Sequence, residues 1–178
     1  MRVVAGTHGG RTLTAPKGEQ TRPTSDRVRE ALFSILGDSV QAAAVLDLFA
    51  GSGALGIEAL SRGAASVAFV DDAHRAVSVI AANLEALGLE GEITCLPALR
   101  ALACTPVASR QYDLVFIDPP YRLASALGPE LSVALKPILR PAARVVTESD
   151  RRDPLTLELP LALERRYGDT LIRIHGAR

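Results

Sequence analysis

Short apolar runs alternate with amphipathic segments between residues 45 and 149, and this alternation constrains the fold more than any other feature of the chain. Apolar runs of this length predict buried strands, at 45–49, 66–71, 92–96, 112–118 and 143–149. The segments between them predict helices, at 53–63, 73–88, 98–104 and 124–136. Apolar strands separated by helices indicate a mainly parallel sheet covered on both faces, which is an α/β fold. A closing hairpin is predicted from two further runs, at 161–166 and 170–175.

The first forty residues have a different pattern. Residues 1–14 contain two short extended runs around a Gly-Gly pair, which predicts a hairpin. From Thr24 apolar residues recur at helical spacing, which predicts an amphipathic helix capped by Thr24 or Ser25, with Arg27 and Arg29 on or near its wetter side. Residues 1–29 carry six basic and two acidic side chains, a local charge of +4. The basic residues are Arg2, Arg11, Lys17, Arg22, Arg27 and Arg29.

Composition limits the class of protein. A chain of 178 residues with 48% hydrophobic residues is expected to fold as one domain around a core. The formal net charge is zero, so a global basic field for nucleic acid is absent and the local distribution of charge matters more. We find no signal peptide and no run long enough to span a membrane, and we expect the cytoplasm. Cys95 and Cys104 lack the spacing of a zinc site and are expected to be reduced thiols.

A glycine-rich turn follows the first predicted strand. Gly51, Gly53 and Gly56 form a G-x-G-x-x-G pattern, which permits a tight strand-to-helix turn and close approach of a ligand to the backbone. Asp71 ends the second predicted strand, where a carboxylate can accept two hydrogen bonds from a ribose diol. A glycine pattern alone is a weak signal, because many such turns bind no ligand. With Asp71 it predicts a site for a nucleoside-containing cofactor.

Asp47 distinguishes between two cofactors that fit this turn. NAD would place a pyrophosphate at the helix N-terminus, and an anion inside the first strand would repel it. S-adenosylmethionine has no phosphate, and its methionine half carries an ammonium and a sulfonium. Asp47 can attract that ammonium directly or through water, so the sequence favours S-adenosylmethionine.

The fourth predicted strand ends in Asp118-Pro119-Pro120-Tyr121. The Asp118 carboxylate and the Pro119 carbonyl can accept hydrogen bonds from an exocyclic amine of a nucleobase and direct its lone pair at a methyl donor. The prolines fix the backbone and carry no N–H that competes for these acceptors. Tyr121 offers a face on which a base can stack, a contact worth about 1–3 kcal/mol. Taken alone, the four residues also fit a rigid turn with a surface tyrosine.

The order of these motifs resembles the amino-group methyltransferases of the Rossmann-like class. Four further segments closely resemble the bacterial RsmD family of small-subunit ribosomal RNA guanine-N2 methyltransferases, and together they cover nearly the whole chain. They are MRVVAGTHGGRTL, TRPTSDRVREALFSIL, VLDLFAGSGALGIEALSRGA and YGDT.

The resemblance implies a fold and a set of site residues. The fold is a Rossmann-like seven-stranded, mostly parallel sheet with helices on both faces and an N-terminal β-hairpin extension. Residues 1–40 would form an RNA-binding extension and 41–178 the methyltransferase domain. The cofactor would be S-adenosylmethionine, and the target base would meet Asp118, Pro119, Pro120 and Tyr121. The cofactor-binding residues would be Asp47, Ala50, Gly51, Ser52, Gly53, Asp71, Asp72 and Ala98.

The resemblance also implies a partner, which is 16S ribosomal RNA in the small subunit or its assembly intermediate. Arg11, Arg22, Arg27 and Arg29 are the candidates for contacts to RNA phosphates, and the protein is expected to act as a monomer. Relatives often carry an aspartate after the third strand. Pro97 or Ala98 stands there in this chain, so adenine contacts would fall to backbone groups. Two alternatives remain: a DNA adenine-N6 or cytosine-N4 methyltransferase, and a non-catalytic RNA-binding assembly factor.

Overall fold

The computed structural model describes residues 1–16, 25–104, 106–120 and 124–176. Within these residues the chain forms five α-helices and one seven-stranded sheet. The strands are β1 (Ala44–Leu48), β2 (Ser66–Asp71), β3 (Glu92–Cys95), β4 (Tyr112–Ile117), β5 (Leu139–Asp150), β6 (Leu161–Tyr167) and β7 (Thr170–Gly176). The helices are α1 (Asp26–Leu36), α2 (Ala54–Ser61), α3 (His74–Leu87), α4 (Ala98–Ala103) and α5 (Ala124–Leu135). Short 3-10 helices follow α1 (Gly37–Val40) and α5 (Lys136–Ile138).

The sheet has the strand order β3-β2-β1-β4-β5-β7-β6. Strands β1 to β5 pair in parallel, whereas β7 runs antiparallel to both β5 and β6. The order reverses between β1 and β4, and ligands of open α/β sheets bind beyond the carboxyl ends of the strands at such a switch point. The predicted seven-stranded, mostly parallel α/β fold is confirmed.

Two apolar layers cover the sheet, because successive strand side chains point to opposite faces. One layer joins α1, α2 and α3 to strand residues that include Val45, Phe69 and Phe116. The other joins α4 and α5 to alternate strand residues such as Leu46 and Ile117. Helices therefore cover both faces, as predicted. The odd-numbered positions of β1 and β2 face α1–α3, and this parity also decides where the polar strand residues point.

Strand β5 is longer than predicted, since it begins at Leu139 rather than at residue 143. Its first part is irregular. Ala142 has a positive φ of 65°, and the pairing with β4 shifts register between Tyr112 and Leu114. An irregular strand start of this kind leaves no clear period-two pattern in the sequence.

Helix α1 packs into the main core. The Ser25 hydroxyl accepts a hydrogen bond from the Val28 amide at 3.2 Å and caps the helix, which ends at Gly37 with a φ of 51°. The Phe33 ring packs against Phe116 of β4 with 5.6 Å between centroids, and the Arg62 guanidinium lies 4.9 Å from the Phe33 centroid. The predicted extension thus shares its core with the rest of the chain.

The N-terminal hairpin is held by an isolated bridge and does not form two regular strands. Arg2 and Thr12 form an isolated antiparallel bridge, and the Val3 amide donates to the Arg11 carbonyl at 2.9 Å. The segment is anchored to α2, because the buried Glu58 carboxylate accepts hydrogen bonds from two backbone amides at its start. Among the described residues, no helix combines the length and the apolar character that a bilayer span requires.

Candidate active site

The turn after β1 takes a left-handed backbone path. Phe49, Gly51 and Gly53 have φ values of 63°, 55° and 77°. Residues other than glycine rarely adopt this left-handed backbone region. Phe49 is therefore a strained residue of the kind that clusters at functional sites. The Gly53 amide donates to the Ala50 carbonyl at 2.7 Å, and α2 begins at the next residue. The first two glycines therefore build the tight turn that the sequence predicts.

The third glycine of the pattern has another role. A Cβ added at Gly56 would lie 2.3 Å from the Phe69 Cε1 atom and 2.8 Å from the Val67 Cγ1 atom. Gly56 thus lets α2 lie directly against β2, as the last glycine of such patterns commonly does. It positions the helix start and is not aimed at the ligand space.

Asp47 is buried inside β1, with 2% of its surface exposed. Its Oδ2 atom accepts a hydrogen bond from the Gly56 amide at 2.9 Å. Burial raises the pKa of Asp47 to about 8; the Gly56 hydrogen bond opposes this and the Asp71 charge adds to it. A buried carboxylate that accepts a backbone hydrogen bond from Gly56 favours a cation beside it, which suits the ammonium of S-adenosylmethionine. The role of Asp47 in cofactor binding stays a prediction.

Asp71 connects the two loops that flank the proposed ribose site. Its Oδ2 atom accepts from the Gly51 amide at 2.8 Å, and its Oδ1 atom accepts from the Ala73 amide at 2.9 Å. Each carboxylate oxygen has a further lone pair, so a diol can bind without breaking either bond. Asp72 is exposed beside it. The predicted ribose contact fits this geometry, and cofactor binding by Asp71 and Asp72 stays a prediction.

The remaining cofactor candidates are small and mostly buried. Ala50 and Ala98 are 8% and 6% exposed, so their side chains offer little beyond backbone and apolar contact. Ala98 is the first residue of α4, and the nearby Leu96 amide donates to the Asp71 carbonyl at 3.1 Å. An adenine site made from backbone groups near Ala98 stays a prediction. The Ser52 hydroxyl lies 3.4 Å from the Met1 sulfur.

Asp118 follows the last residue of β4 and lies at the same edge of the sheet. Strands β1 and β4 are neighbours, with Asp47 paired to Phe116, so Asp118 comes two residues farther along on the same face. Burial raises the pKa of Asp118 well above its usual range, and the negative charges of Glu148 and Asp47 add to the effect. Pro119 is buried and Pro120 exposed, whereas Tyr121 lies outside the described residues.

Glu148 belongs to this site although sequence analysis did not propose it. It is 3% exposed and stands on β5, one residue beyond Thr147, which pairs with Ile117 of β4. The alternation of faces puts its side chain on the same side as that of Asp118, in agreement with the coupling of their charges. Glu148 lies between Thr147 and Ser149 near the polar end of its predicted strand, so it does not stand out in the sequence as Asp47 does inside an apolar run.

Four carboxylates therefore lie at the carboxyl edge of the sheet on the α1–α3 side: those of Asp47, Asp71, Asp118 and Glu148. They come from four different strands or strand ends. For two of them, Asp47 and Asp118, burial and the negative charges of neighbouring carboxylates raise the pKa and disfavour ionisation. Such a cluster is suited to a ligand that carries positive charge and N–H donors, and it is poorly suited to a pyrophosphate.

A buried asparagine connects the glycine turn to the N-terminal segment. The Asn83 side-chain amide on α3 donates to the carbonyl oxygens of Ser52 and Thr14, both at 3.0 Å. Its Oδ1 atom accepts from the Thr14 amide at 2.9 Å. Sequence analysis missed this residue, because a lone asparagine in a helical pattern has no distinguishing neighbours. The contacts bring the end of the N-terminal hairpin beside the predicted cofactor turn.

The four candidate RNA-binding arginines have different surroundings. Arg11 is exposed, and its Nη2 atom donates to the Ala86 carbonyl at 3.2 Å. Arg27 is exposed on α1. Arg22 lies outside the described residues, as does Lys17. Phosphate binding by Arg11, Arg22 and Arg27 stays a prediction.

The prediction that Arg29 faces solvent and contacts RNA is wrong, because the side chain is fully buried. Its Nη2 atom donates to the Arg2 carbonyl and, at 2.9 Å, to Asp26. Its Nε atom lies 3.8 Å from the Glu58 carboxylate. Burial lowers the pKa of Arg29, and the two acidic partners oppose the effect. Arg29 therefore connects α1, α2 and the N-terminal hairpin through buried polar contacts.

Comparison with known proteins places the chain in a family. A model described as conserved hypothetical protein 95 matches residues 1–176. The chain is 36% identical to the YlbH protein of Bacillus subtilis over 100% of both chains. It is 34% identical to ribosomal RNA small subunit methyltransferase D of Haemophilus influenzae, over 87% of this chain and 81% of the relative. The solved structure of yhhF from Escherichia coli superposes with a TM-score of 0.86 at 32% identity, covering 100% of this chain and 98% of that chain. The family expected from the sequence is confirmed.

Proposed function

The chain belongs to the conserved hypothetical protein 95 family, which includes the small-subunit ribosomal RNA methyltransferases D, and we propose that it methylates the N2 amine of a guanine in that RNA. The protein is an S-adenosylmethionine-dependent ribosomal RNA methyltransferase. The choice of base, the position in the RNA and the state of the particle belong to the proposal.

One observation carries the proposal. The glycine turn after β1 and Asp118 after β4 end neighbouring parallel strands, so the cofactor site and the target-base site share one edge of the sheet. The Asp47 carboxylate on β1 is close enough to raise the pKa of Asp118. A methyl donor held at the turn would therefore face an acceptor held at Asp118. In-line transfer needs this proximity, which can supply about 7–11 kcal/mol of barrier reduction.

The chain's own residues have distinct tasks. S-adenosylmethionine supplies an electrophilic methyl group on a sulfonium. Asp47 would hold its ammonium and Asp71 its ribose hydroxyls. Asp118 and the Pro119 carbonyl would accept hydrogen bonds from the two N–H groups of the target amine and aim its lone pair, while Tyr121 would stack on the base. The amine becomes more acidic when it gains the methyl, so after transfer it would lose a proton to Asp118 or to water, and Asp118 need not be a strong base.

Asp118 must be ionised to accept hydrogen bonds through both oxygens. Because its pKa is raised in the unliganded protein, a cation should bind nearby before the target base does. A bound ammonium near Asp47 would offset the negative charges that disfavour ionisation of Asp118. The order would then be cofactor before base.

The Asp-Pro-Pro-Tyr motif serves several base amines, so guanine is inferred from the family and not from the site. The target base must leave its stack to reach an edge of the sheet, as in other base-modifying enzymes. The net charge is zero, and an RNA fold presented by an assembled particle would supply the selectivity that the protein's own charge does not.

Transfer of a radiolabelled methyl group to small subunits lacking native modification tests the proposal. Nucleoside analysis should give N2-methylguanosine, and the Asp118→Ala variant should bind cofactor but transfer no label. N6-methyladenosine as the product would overturn the guanine assignment. RNA binding without any transfer would favour a non-catalytic assembly factor. A clear preference for naked RNA over particles would contradict the particle substrate.

A further inference from the structure

An open groove of about 380 Å³ lies where β5 ends and the β6–β7 hairpin turns. Four arginines line it: Arg151, Arg152, Arg166 and Arg173. We propose that this arginine groove binds backbone phosphates of the RNA that flank the target nucleotide. The proposal rests on the proposed function, since it takes RNA as the partner. The arginine groove is separate from the arginines of residues 1–29, which belong to another part of the chain.

The register of the sheet puts the groove next to the target-base site. Ile117, which precedes Asp118, pairs with Thr147 of β5, and Thr147 pairs with Arg173 of β7. Two strand spacings separate Ile117 from Arg173, roughly 10 Å. Arg151 follows Glu148 by three residues, which is again roughly 10 Å of extended chain.

The carboxylates of the target-base site face α1–α3, whereas Arg173 and its strand partner Thr147 face the side of α4 and α5. The carboxyl edge of the sheet separates the two sites. An RNA strand that places its base against Asp118 would cross this edge and carry its neighbouring phosphates over the groove. The path would run from a site for an amine to a cationic surface one sheet edge away.

The groove carries more positive than negative charge. Asp169 is shared by Arg151 at 3.3 Å and Arg152 at 3.9 Å, and Glu164 is shared by Arg166 at 3.1 Å and Arg173 at 2.9 Å. Four guanidinium groups thus face these two carboxylates and, with Asp150 at the rim, three in all. Asp150 at the rim accepts a hydrogen bond from the Arg152 backbone amide at 2.8 Å.

The arginines differ in how freely they can change partner. The side chains of Arg152 and Arg166 are 74% and 71% exposed, and that of Arg151 is 50% exposed. Exposed ion pairs are weak and are screened by salt, so a phosphate can compete for these three guanidinium groups. Arg173 is only 19% exposed and also donates to the Leu155 carbonyl at 3.3 Å, which gives it a structural role.

Phosphate is the ligand whose chemistry these groups fit best. The guanidinium fork binds phosphate oxygens in pairs, and several forks around an open groove can follow a backbone without reading its bases. An acidic polypeptide would offer single carboxylates on flexible side chains. The position beside a site for a base amine favours RNA over such a protein.

The variant Arg151→Gln/Arg152→Gln tests the groove, and Arg110→Gln is a matched control. The Arg110 and Glu92 side chains form an ion pair with 47% and 49% exposure, against 50% and 49% for Arg151 and Asp169. Arg110 precedes β4 and therefore lies at the opposite edge of the sheet. Binding of unmodified small-subunit RNA would be measured by fluorescence anisotropy at several potassium chloride concentrations.

We expect the double variant to bind RNA about ten-fold more weakly at low salt, while the control stays within about two-fold of the wild type. The slope of log affinity against log salt should fall by about 0.7–0.9 for each phosphate contact that is lost. The rise in KM should exceed any fall in kcat. Equal cofactor-induced thermal stabilisation in all three proteins would show that each variant is folded.

RNA affinity and salt slope that stay unchanged in the double variant would overturn the proposal, whether or not the wild type methylates RNA. If the double variant loses RNA binding and the wild type transfers no methyl group, the result would contradict the proposed function and still support RNA binding by the groove. Polyglutamate serves as the acidic-protein probe. If the double variant loses polyglutamate binding but keeps RNA binding, the groove takes an acidic protein and the proposal fails.

Discussion

The Asp47 carboxylate accepts a hydrogen bond from the Gly56 amide at 2.9 Å, which joins the middle of β1 to the first turn of α2. The same carboxylate is the proposed partner of the cofactor's ammonium. Fold and ligand therefore share one buried acid, and its ionisation should affect both.

Asp47 makes the unliganded protein sensitive to pH. The pKa is about 8 in the folded protein against 3.8 for the ordinary side chain, so the folded state holds a proton that the unfolded chain has lost. The free energy of unfolding should therefore fall as pH rises from about 4 to about 8, by up to about 1.4 kcal/mol per pH unit from this group. Urea unfolding of the wild type and Asp47→Asn across this range would show the difference.

The asparagine keeps an acceptor for the Gly56 amide and removes the charge. We expect Asp47→Asn to be the more stable protein above pH 8 without cofactor, and to bind cofactor roughly 10- to 150-fold more weakly through loss of a charged hydrogen bond. Identical pH dependence in the two proteins would contradict the raised pKa. Unchanged cofactor affinity would remove Asp47 from the ammonium site.

Glu148→Gln should shift the pH profile of methyl transfer toward acid. The Glu148 charge helps to raise the pKa of Asp118, so its removal lowers that pKa and lets Asp118 ionise at lower pH. The acidic limb of kcat/KM against pH would report the shift. Thr147→Val changes the adjacent residue on the opposite face without altering charge, and its profile should match the wild type. An unshifted limb in Glu148→Gln would mean that Asp118 does not control the rate.

Arg29→Met should destabilise the fold, because it removes the guanidinium beside the buried Glu58 carboxylate and cuts the bond to the hairpin. Breaking a buried pair by removing one partner costs about 3–5 kcal/mol. Arg27→Met is the control on the same helix, since that side chain is exposed and should change stability by less than about 0.5 kcal/mol. Urea unfolding at pH 7 measures both. A loss below about 1 kcal/mol for Arg29→Met would contradict its structural role.

Gly56→Ala should cost about 1–3 kcal/mol by overpacking, although alanine is the better helix former. The new methyl would meet the Phe69 ring at 2.3 Å. At Gly176 an added Cβ meets nothing within 4 Å, so Gly176→Ala should leave the midpoint of urea unfolding nearly unchanged. Should Gly56→Ala prove as stable as the wild type, α2 must be able to move away from β2.

The sequence predicted the elements because strand and helix periods differ clearly in this chain. The runs around Leu46 and Val115 are mostly apolar, as expected for strands covered on both faces. Asp47 stands inside the first run and Asp118 directly follows the second, and a charge at such a position is a strong signal of a site. Glu148 lies between Thr147 and Ser149, so it does not stand out in the sequence, and no known motif surrounds it.

Arg29 shows what a helical pattern cannot decide. Its position on α1 borders the apolar stripe, and an arginine there normally extends to solvent. Arg29 can be buried because its guanidinium has polar partners inside the protein, Glu58 and the Arg2 carbonyl, and these come from distant parts of the chain. The hairpin was similarly predicted from local composition, whereas its short bridge depends on anchoring by Glu58.

The adjacency of β1 and β4 has a consequence for folding. These strands are neighbours in the sheet, yet β2, β3 and three helices separate them in the chain. No fragment that ends before β4 contains both halves of the methyl-transfer crevice, so affinity for the ligand pair requires these distant parts of the chain to be folded together. Ligands should consequently slow hydrogen exchange of the slowest amides in the sheet centre, which open only in global unfolding, as well as those of the surrounding loops.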